Sequence, residues 1–355
     1  MHSAIARTTP QPLTISRHCR VIDNCTSGEV PQGIFSGAEP VVLKGLVSHW
    51  PIVQLGQQGN NALADYINSH YNGQPTQVYR AGPGLNGRYF YNDNATALNF
   101  TVDTGKVDEV LQQLLAWQSL PEPPSAYIAS NLIQSHFPTL SAQLPLQLNR
   151  PKPDYATEPD RVSIWLGNRS VAACHYDASE NLACCVAGKR TFTLFPPEQV
   201  SNLYPGPLQP TPGGQVISMV DFDQPDVQRY PRFADAIAAG CIAELEPGDA
   251  LYLPSMWWHR VAAPGSFNVL INYWWSNAPR YTGSGMNLLY HALLCLREKP
   301  EHERKAWQAL LNYYVFDDPQ QAAAHLPPEA QGVLGPLDDM QARQLRAMLL
   351  NRLNR

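Results

Sequence analysis

His175 and Asp177 stand two residues apart, and 84 residues beyond His175 the chain reaches His259 at the end of the run Pro247-Gly248-Asp249-Ala250-Leu251-Tyr252-Leu253-Pro254-Ser255-Met256-Trp257-Trp258-His259. In a strand, residues i and i+2 point to the same side, so His175 and Asp177 can reach one metal ion together if that stretch is β. The distal histidine must then come from a facing strand. Gly248-Asp249 ahead of an apolar run reads as the turn that launches one. Two imidazoles and one carboxylate occupy one face of an ion and leave the opposite positions open, the ligand set of non-haem Fe(II) oxygenases. Taken singly, each residue has an ordinary explanation. Asp177 can cap a turn, His259 can donate to a backbone carbonyl, and any one of ten histidines can be a surface or core residue. Jointly, with the Gly-Asp turn and the apolar run, they point to a metal.

At 355 residues the chain has room for a barrel with appended helices and can bury a substantial core without disulfides. A net charge of −5 gives no overall attraction to nucleic acid or anionic lipid, although it leaves a local basic patch open. No basic segment followed by an apolar core opens the chain, and no apolar run is long enough for a bilayer. The expectation is therefore a cytoplasmic protein with no membrane partner. The seven cysteines are odd in number and irregularly spaced, without the paired spacing of a zinc site. Cys174, Cys184 and Cys185 fall in apparent core strands, which suits reduced, buried thiols. Thirty-two prolines argue for a loop-rich, mainly β architecture.

Along the chain, residues 1–35 read as a polar arm lying over the first strands, 36–280 as a β domain, and 281–355 as helices. Pro40 to Val47 contains a buried strand, and Asn61 to Tyr71 a short helix. Thr104 reads as the cap of a helix that places Val107, Val110, Leu111, Leu114 and Leu115 on one face. Further strands are expected at Ser163 to Leu166, Leu182 to Val186, Arg190 to Phe195, Ile242 to Leu245, Ala250 to Leu253 and Phe267 to Trp275. Many short strands separated by turns suggest a double-sheet jelly roll, a double-stranded β-helix with flanking helices. Pro205 to Pro231 is too long for a hairpin turn and is either a lid or a packed excursion. Three amphipathic faces follow: Leu289, Ala292, Leu293 and Leu296; Trp307, Leu310, Leu311 and Tyr314; Leu345, Met348, Leu349 and Leu353.

Several ordered blocks between Pro40 and Trp275 carry a family resemblance. They are Pro40 to Gly45, Arg88 to Asp93, His175-Tyr176-Asp177 with Asn181, Lys189 to Pro197, Gly248 to His259, and Asn272-Tyr273-Trp274. With these, the sequence resembles the JmjC and cupin-like Fe(II)/2-oxoglutarate dioxygenases, especially the branch of the asparaginyl hydroxylase that inhibits hypoxia-inducible factor. The resemblance implies His175, Asp177 and His259 as iron ligands, with 2-oxoglutarate as co-substrate and dioxygen as oxidant. It also implies a basic residue gripping the distal carboxylate of 2-oxoglutarate. Counting from His175 without a gap places that residue at Arg190. Strand parity agrees, since Arg190 shares a face with Phe192 and Leu194, and a guanidinium suits a carboxylate. Lys189 is the reserve.

Tyr127 matches a tyrosine that bonds the same carboxylate, and Asn181 and Asn272 match amides near the metal-bound end. Each of these also reads as a turn former or a satisfied core group. Ala172 departs from the pattern, standing where the hydroxylase has a threonine. The expected activity is hydroxylation of a peptide or protein side chain or a small molecule, with release of succinate and CO2. A tRNA nucleoside hydroxylase, a methyl-lysine demethylase and a non-catalytic metal-binding cupin are the alternatives. By analogy with the asparaginyl hydroxylase, the carboxy-terminal helices are expected to form a homodimer.

Overall fold

The computed structural model of the protein describes residues 14–150 and 160–354. They divide into two compact units, residues 14–150 with 160–276, and residues 277–354. The strands of the first unit are β1 (Arg20–Ile22), β2 (Val41–Leu43), β3 (Thr76–Ala81), β4 (Arg88–Tyr89), β5 (Thr101–Gly105), β6 (Ser125–Leu132) and β7 (Arg161–Gly167). They continue as β8 (Ser170–Tyr176), β9 (Glu180–Ala187), β10 (Arg190–Phe195), β11 (Cys241–Leu245), β12 (Ala250–Leu253), β13 (Trp258–Ala263) and β14 (Asn268–Trp275). They form a nine-stranded sheet in the order β1-β2-β12-β9-β14-β7-β6-β3-β5 and a five-stranded sheet in the order β11-β10-β13-β8-β4. Among the described strands only β1–β2 and β4–β8 pair in parallel.

The period-two alternation of the strands sorts their side chains into two buried layers. In β9, Leu182, Cys184 and Val186 join the core that also takes Ile52, Val53, Leu63, Ile67, Val110 and Leu114 from three helices. Those helices are Pro51–Gln58, Asn60–His70 and Val107–Trp117. Ala183 and Cys185 face the other way and pack with Leu251, Leu253 and Leu270 against Phe192 and Leu194 of the five-stranded sheet. The second layer is the interior of the jelly roll, and it is the layer that holds the site.

Two expectations need correction. Thr104 does not cap a helix. It pairs with Gln77 in the β3–β5 ladder, so its backbone is committed to the sheet, and the helix starts only at Val107, after Lys106. The amino-terminal arm is not merely draped over the strands. β1 extends the nine-stranded sheet, while the Cys19 amide donates to the Ile242 carbonyl (2.9 Å) and the Ile242 amide to that of Arg17 (2.9 Å). One short segment thus bonds to an edge of each sheet. Residues 1–13 of that expected arm lie outside the described residues.

For Pro205 to Pro231 the packed alternative holds around its centre. Val216, Ile217, Ser218 and Val220 are buried, and the Ser218 amide donates to the Cys174 carbonyl at 2.7 Å.

The turn ahead of β12 explains its Gly-Asp pair. Gly248 has φ +101°, and a Cβ there would meet Ser48 Cβ at 3.1 Å, so only glycine fits without strain. Buried Asp249 accepts from the amides of Gly45 (3.0 Å) and Glu246 (2.8 Å) and pairs with Lys44. Asp249→Ala is therefore expected to lower stability by about 2–4 kcal/mol, because two amide donors lose their acceptor. Urea unfolding of the purified protein measures this, and a change below 1 kcal/mol would contradict it.

The second unit holds the helices Gly285–Cys295, Glu301–Leu311 and Asp339–Leu353, the last opened by a capping box between Asp338 and Gln341. Many of its apolar side chains are exposed, among them Leu289, Leu294, Trp307, Leu310, Met348 and Leu349. Among the described residues no helix is long and apolar enough to cross a membrane.

Candidate metal centre

β13 runs antiparallel to β8 with His259 directly opposite His175. Directly opposed residues share a face and hold their Cβ atoms close. The two rings accordingly meet at 4.3 Å between centroids. Asp177 follows the last residue of β8 and lies on the same side as His175. Its Oδ2 is 3.6 Å from His259 Nε2. One donor atom from each of the three lies within 4.8 Å of the others. The intervening Tyr176 and Trp258 form the neighbouring cross-strand pair and point away, their rings edge to face at 4.9 Å.

Both histidines are oriented in the same way. His175 Nδ1 donates to the Ala173 carbonyl (2.7 Å) and His259 Nδ1 to the Trp257 carbonyl (2.9 Å). In each case the carbonyl two residues upstream fixes the tautomer and frees Nε2 as the lone-pair donor. Burial, then the neighbouring His175, push the His259 pKa down to about 4, with Asp177 opposing them. The ring is thus neutral at neutral pH, the state in which imidazole binds a metal. This donor set, two imidazoles presenting Nε2 and a carboxylate, fits Fe(II).

A β-bulge adjoins the centre. From His259 to Val261 β13 advances two residues, while its partners on β8, His175 and Ala172, are three apart. The extra residue in β8 brings Ala172 opposite Val261, onto the face His175 occupies. Ala172 thus offers a methyl group, with no hydroxyl, on that face.

β10 lies on the other side of β13, with Leu194 opposite His259 and Phe192 opposite Val261. Arg190, in step with Phe192 and Leu194, therefore shares the face of His259. It is 3% exposed, and its Nε and Nη2 have no hydrogen-bond partner in the protein. An unpaired buried guanidinium is costly, so this one is poised for an anion. Tyr127 lies close enough to feel that charge. Burial pushes its hydroxyl up to about 12 and Arg190 draws it back.

Asn272 Nδ2 donates to Asn181 Oδ1 (3.2 Å), and Trp165 Nε1 donates to Asn272 Oδ1 (2.7 Å). The two asparagines are thus brought together on the interior face of β9 and β14. Trp165, which orients Asn272, was not singled out from the sequence. Its position inside the expected strand Ser163 to Leu166 was the available signal. Lys189 is not brought to the site. It is exposed and pairs with Glu246 at 2.7 Å, because its place one residue before Arg190 turns it outward.

These features describe a double-stranded β-helix with a two-histidine, one-carboxylate centre in its interior. Residues 28–281 match the family described as cupin-like domain, and the chain belongs to that family. The JmjC cupin family is typically made of Fe(II)/2-oxoglutarate oxygenases. Similar proteins include tRNA wybutosine-synthesizing protein 5 of Danio rerio, 38% identical over 30% of this chain and 29% of its own length. Jumonji C domain-containing protein 5 of Drosophila melanogaster is 27% identical over 75% of this chain and 63% of its own. For both, less than two-thirds of the relative's length is matched. tRNA wybutosine-synthesizing protein 5 of Gallus gallus is 26% identical over 80% of this chain and 89% of its own.

Proposed function

We propose that this protein is an Fe(II)- and 2-oxoglutarate-dependent oxygenase that hydroxylates a peptide or protein side chain or a small molecule. The observation that carries this reading is the pairing of the His175-Asp177-His259 centre with a buried Arg190, its Nε and Nη2 without a partner, on the same interior face. His175, Asp177 and His259 would hold the iron, and Arg190, with the Tyr127 hydroxyl, would hold the distal carboxylate of 2-oxoglutarate. A four-residue offset along β10, about 13 Å, separates Arg190 from the residue facing His259. An arginine arm and a five-carbon diacid together fit that interval. Asn181 and Asn272, locked by Trp165, would serve the metal-bound end. Bound Fe(II) with 2-oxoglutarate supplies the coupling of co-substrate decarboxylation, giving succinate and CO2, to dioxygen-driven oxidation of a substrate C–H bond. The protein's own part is to orient the ligands, pair the carboxylate and keep the interior dry.

The test is succinate production from 2-oxoglutarate in air with Fe(II), followed by mass spectrometry of candidate substrates. A peptide or small molecule should gain one oxygen. No oxygen- and iron-dependent succinate would leave a non-catalytic metal-binding cupin. A second reading has specific support: relatives named tRNA wybutosine-synthesizing protein 5 include one aligned over 80% of the chain. Under that reading a tRNA nucleoside gains the oxygen instead. Relatives named as lysine-specific demethylases make formaldehyde release from methyl-lysine peptides the third arm of the same assay.

We also propose that a second copy of the chain covers the exposed apolar side chains of the helices Glu301–Leu311 and Asp339–Leu353. Light scattering is expected to give a dimer, and Leu345→Glu with Leu349→Glu to give a monomer. A concentration-independent wild-type monomer would refute the dimer.

A further inference from the structure

We infer that Cys19 and Cys241 form a redox-active dithiol that closes to a disulfide on meeting a two-electron oxidant such as hydrogen peroxide, latching the amino-terminal segment to the edge of the five-stranded sheet. The two sulfurs lie 2.7 Å apart, 222 residues apart in sequence, and both residues are buried at 8% and 4% exposure. A disulfide requires about 2.05 Å, so closure asks for well under 1 Å of movement. The approach is set by backbone. The bonds from the Cys19 amide to Ile242 and from the Ile242 amide to Arg17 hold the segment before β1 against β11 beside the pair.

The other described cysteines lack this arrangement. Cys184 and Cys185 are consecutive in β9 and face different layers, Cys174 packs with Phe195 and Trp258, Cys25 turns to backbone carbonyls, and Cys295 is exposed on a helix of the second unit.

The surroundings favour the chemistry. The Arg17 guanidinium donates to the carbonyls of Ala239 (2.8 Å) and Gly240 (3.3 Å), which anchors a positive charge beside the thiols. A cation beside a thiol favours the thiolate, the reactive form. The Cys19 hydrogen bond first, and then Arg17, hold the Cys241 thiol below its usual range against the effect of burial. Arg17 favours the thiolate at both sulfurs, so either can attack first, and the chemistry is the same with Cys241 leading. The Cys241 thiolate attacks one peroxide oxygen, the O–O bond breaks, and hydroxide leaves behind a sulfenic acid. The Cys19 sulfur then attacks the Cys241 sulfur, forming the S–S bond and displacing hydroxide, which takes up the Cys19 proton as water. In sum, two thiols and one peroxide give one disulfide and two waters, and two electrons pass from sulfur to oxygen.

The latch has a mechanical consequence. β1 is the edge strand of the nine-stranded sheet and β11 of the five-stranded sheet. A bond from Cys19 to Cys241 therefore ties the two sheets together covalently at that edge. It also closes a 222-residue interval, which restricts the unfolded chain and raises stability.

The test uses the full-length, metal-free protein with a chelator present, so that peroxide meets sulfur and not iron. After a few equivalents of peroxide, free thiols are alkylated and the protein is mapped by non-reducing mass spectrometry. The expected result is one cross-linked pair of peptides containing Cys19 and Cys241, with five of seven cysteines alkylated (7 − 2). The melting temperature should rise by about 5 °C, and dithiothreitol should reverse both changes. Cys19→Ser and Cys241→Ser, made separately, should each abolish the cross-link and the rise. Alkylation of both cysteines after peroxide, separate oxidation of each to sulfinic acid, or a link from either to another cysteine would overturn the inference. The decisive mapping is done on the wild-type chain, so poor folding of a variant cannot obscure it.

Discussion

Asp177→Ala is expected to abolish Fe(II)-dependent turnover, with a loss greater than the 10–100-fold that removal of an outer-shell partner costs, while the protein stays folded. The asymmetry follows from where the residue sits. Its carboxylate is 19% exposed and close to His259, and it supports neither sheet pairing nor core. The backbone bond that does matter, from the Met256 amide to the Asp177 carbonyl at 2.7 Å, survives the substitution. His175 and His259 remain held by their Nδ1 donations to Ala173 and Trp257, so the two imidazoles stay in place while the one carboxylate of the proposed ligand set is lost. Metal titration monitored by calorimetry should show the loss of affinity, and circular dichroism an unchanged spectrum. Full activity with normal Fe(II) affinity in this variant would remove Asp177 from the ligand set and the proposed chemistry with it.

The parts of the molecule that the sequence reveals are those governed by local period. β10 and β12 occupy the expected spans Arg190 to Phe195 and Ala250 to Leu253, since both are dense in apolar and β-forming residues bounded by turn residues. The same parity argument separated Arg190 from Lys189, and the two side chains do point to opposite environments. β3 and β5 went unseen. β5 is an edge strand of Thr-Val-Asp-Thr-Gly, exposed along nearly its whole length, and nothing in such a stretch distinguishes strand from loop. Register is not local either. The opposition of His259 to His175, the bulge that brings Ala172 onto their face, and the approach of Cys19 to Cys241 depend on which strands pair, and spacing along the chain does not encode that. The spacing of His175 and Asp177 made their common side legible. The facing position of His259 needed the sheet.

Arg190→Met is expected to raise the stability of the protein without ligand and to weaken its response to 2-oxoglutarate, two effects of opposite sign from one change. A buried guanidinium whose Nε and Nη2 find no acceptor costs about 1–3 kcal/mol per unsatisfied group. Methionine fills a similar space without that cost. Urea unfolding without ligand should therefore show a gain of about 1–3 kcal/mol. With co-substrate the sign reverses, since a charge-assisted contact worth about 1.5–3 kcal/mol is lost. The apparent KM for 2-oxoglutarate should then rise roughly 10- to 100-fold, and the stabilisation that 2-oxoglutarate confers on the metal-loaded wild type should largely disappear. Lys189→Ala is the control. Its ammonium is exposed and paired with Glu246, so its removal should change the KM less than about threefold, in keeping with a surface pair worth well under 1 kcal/mol. If Lys189→Ala raised the KM and Arg190→Met did not, the anion would be gripped from the other face of β10, and the assignment of Arg190 would fall. If instead Arg190→Met destabilised the ligand-free protein, the guanidinium would be satisfied within the fold and would not be waiting for a carboxylate.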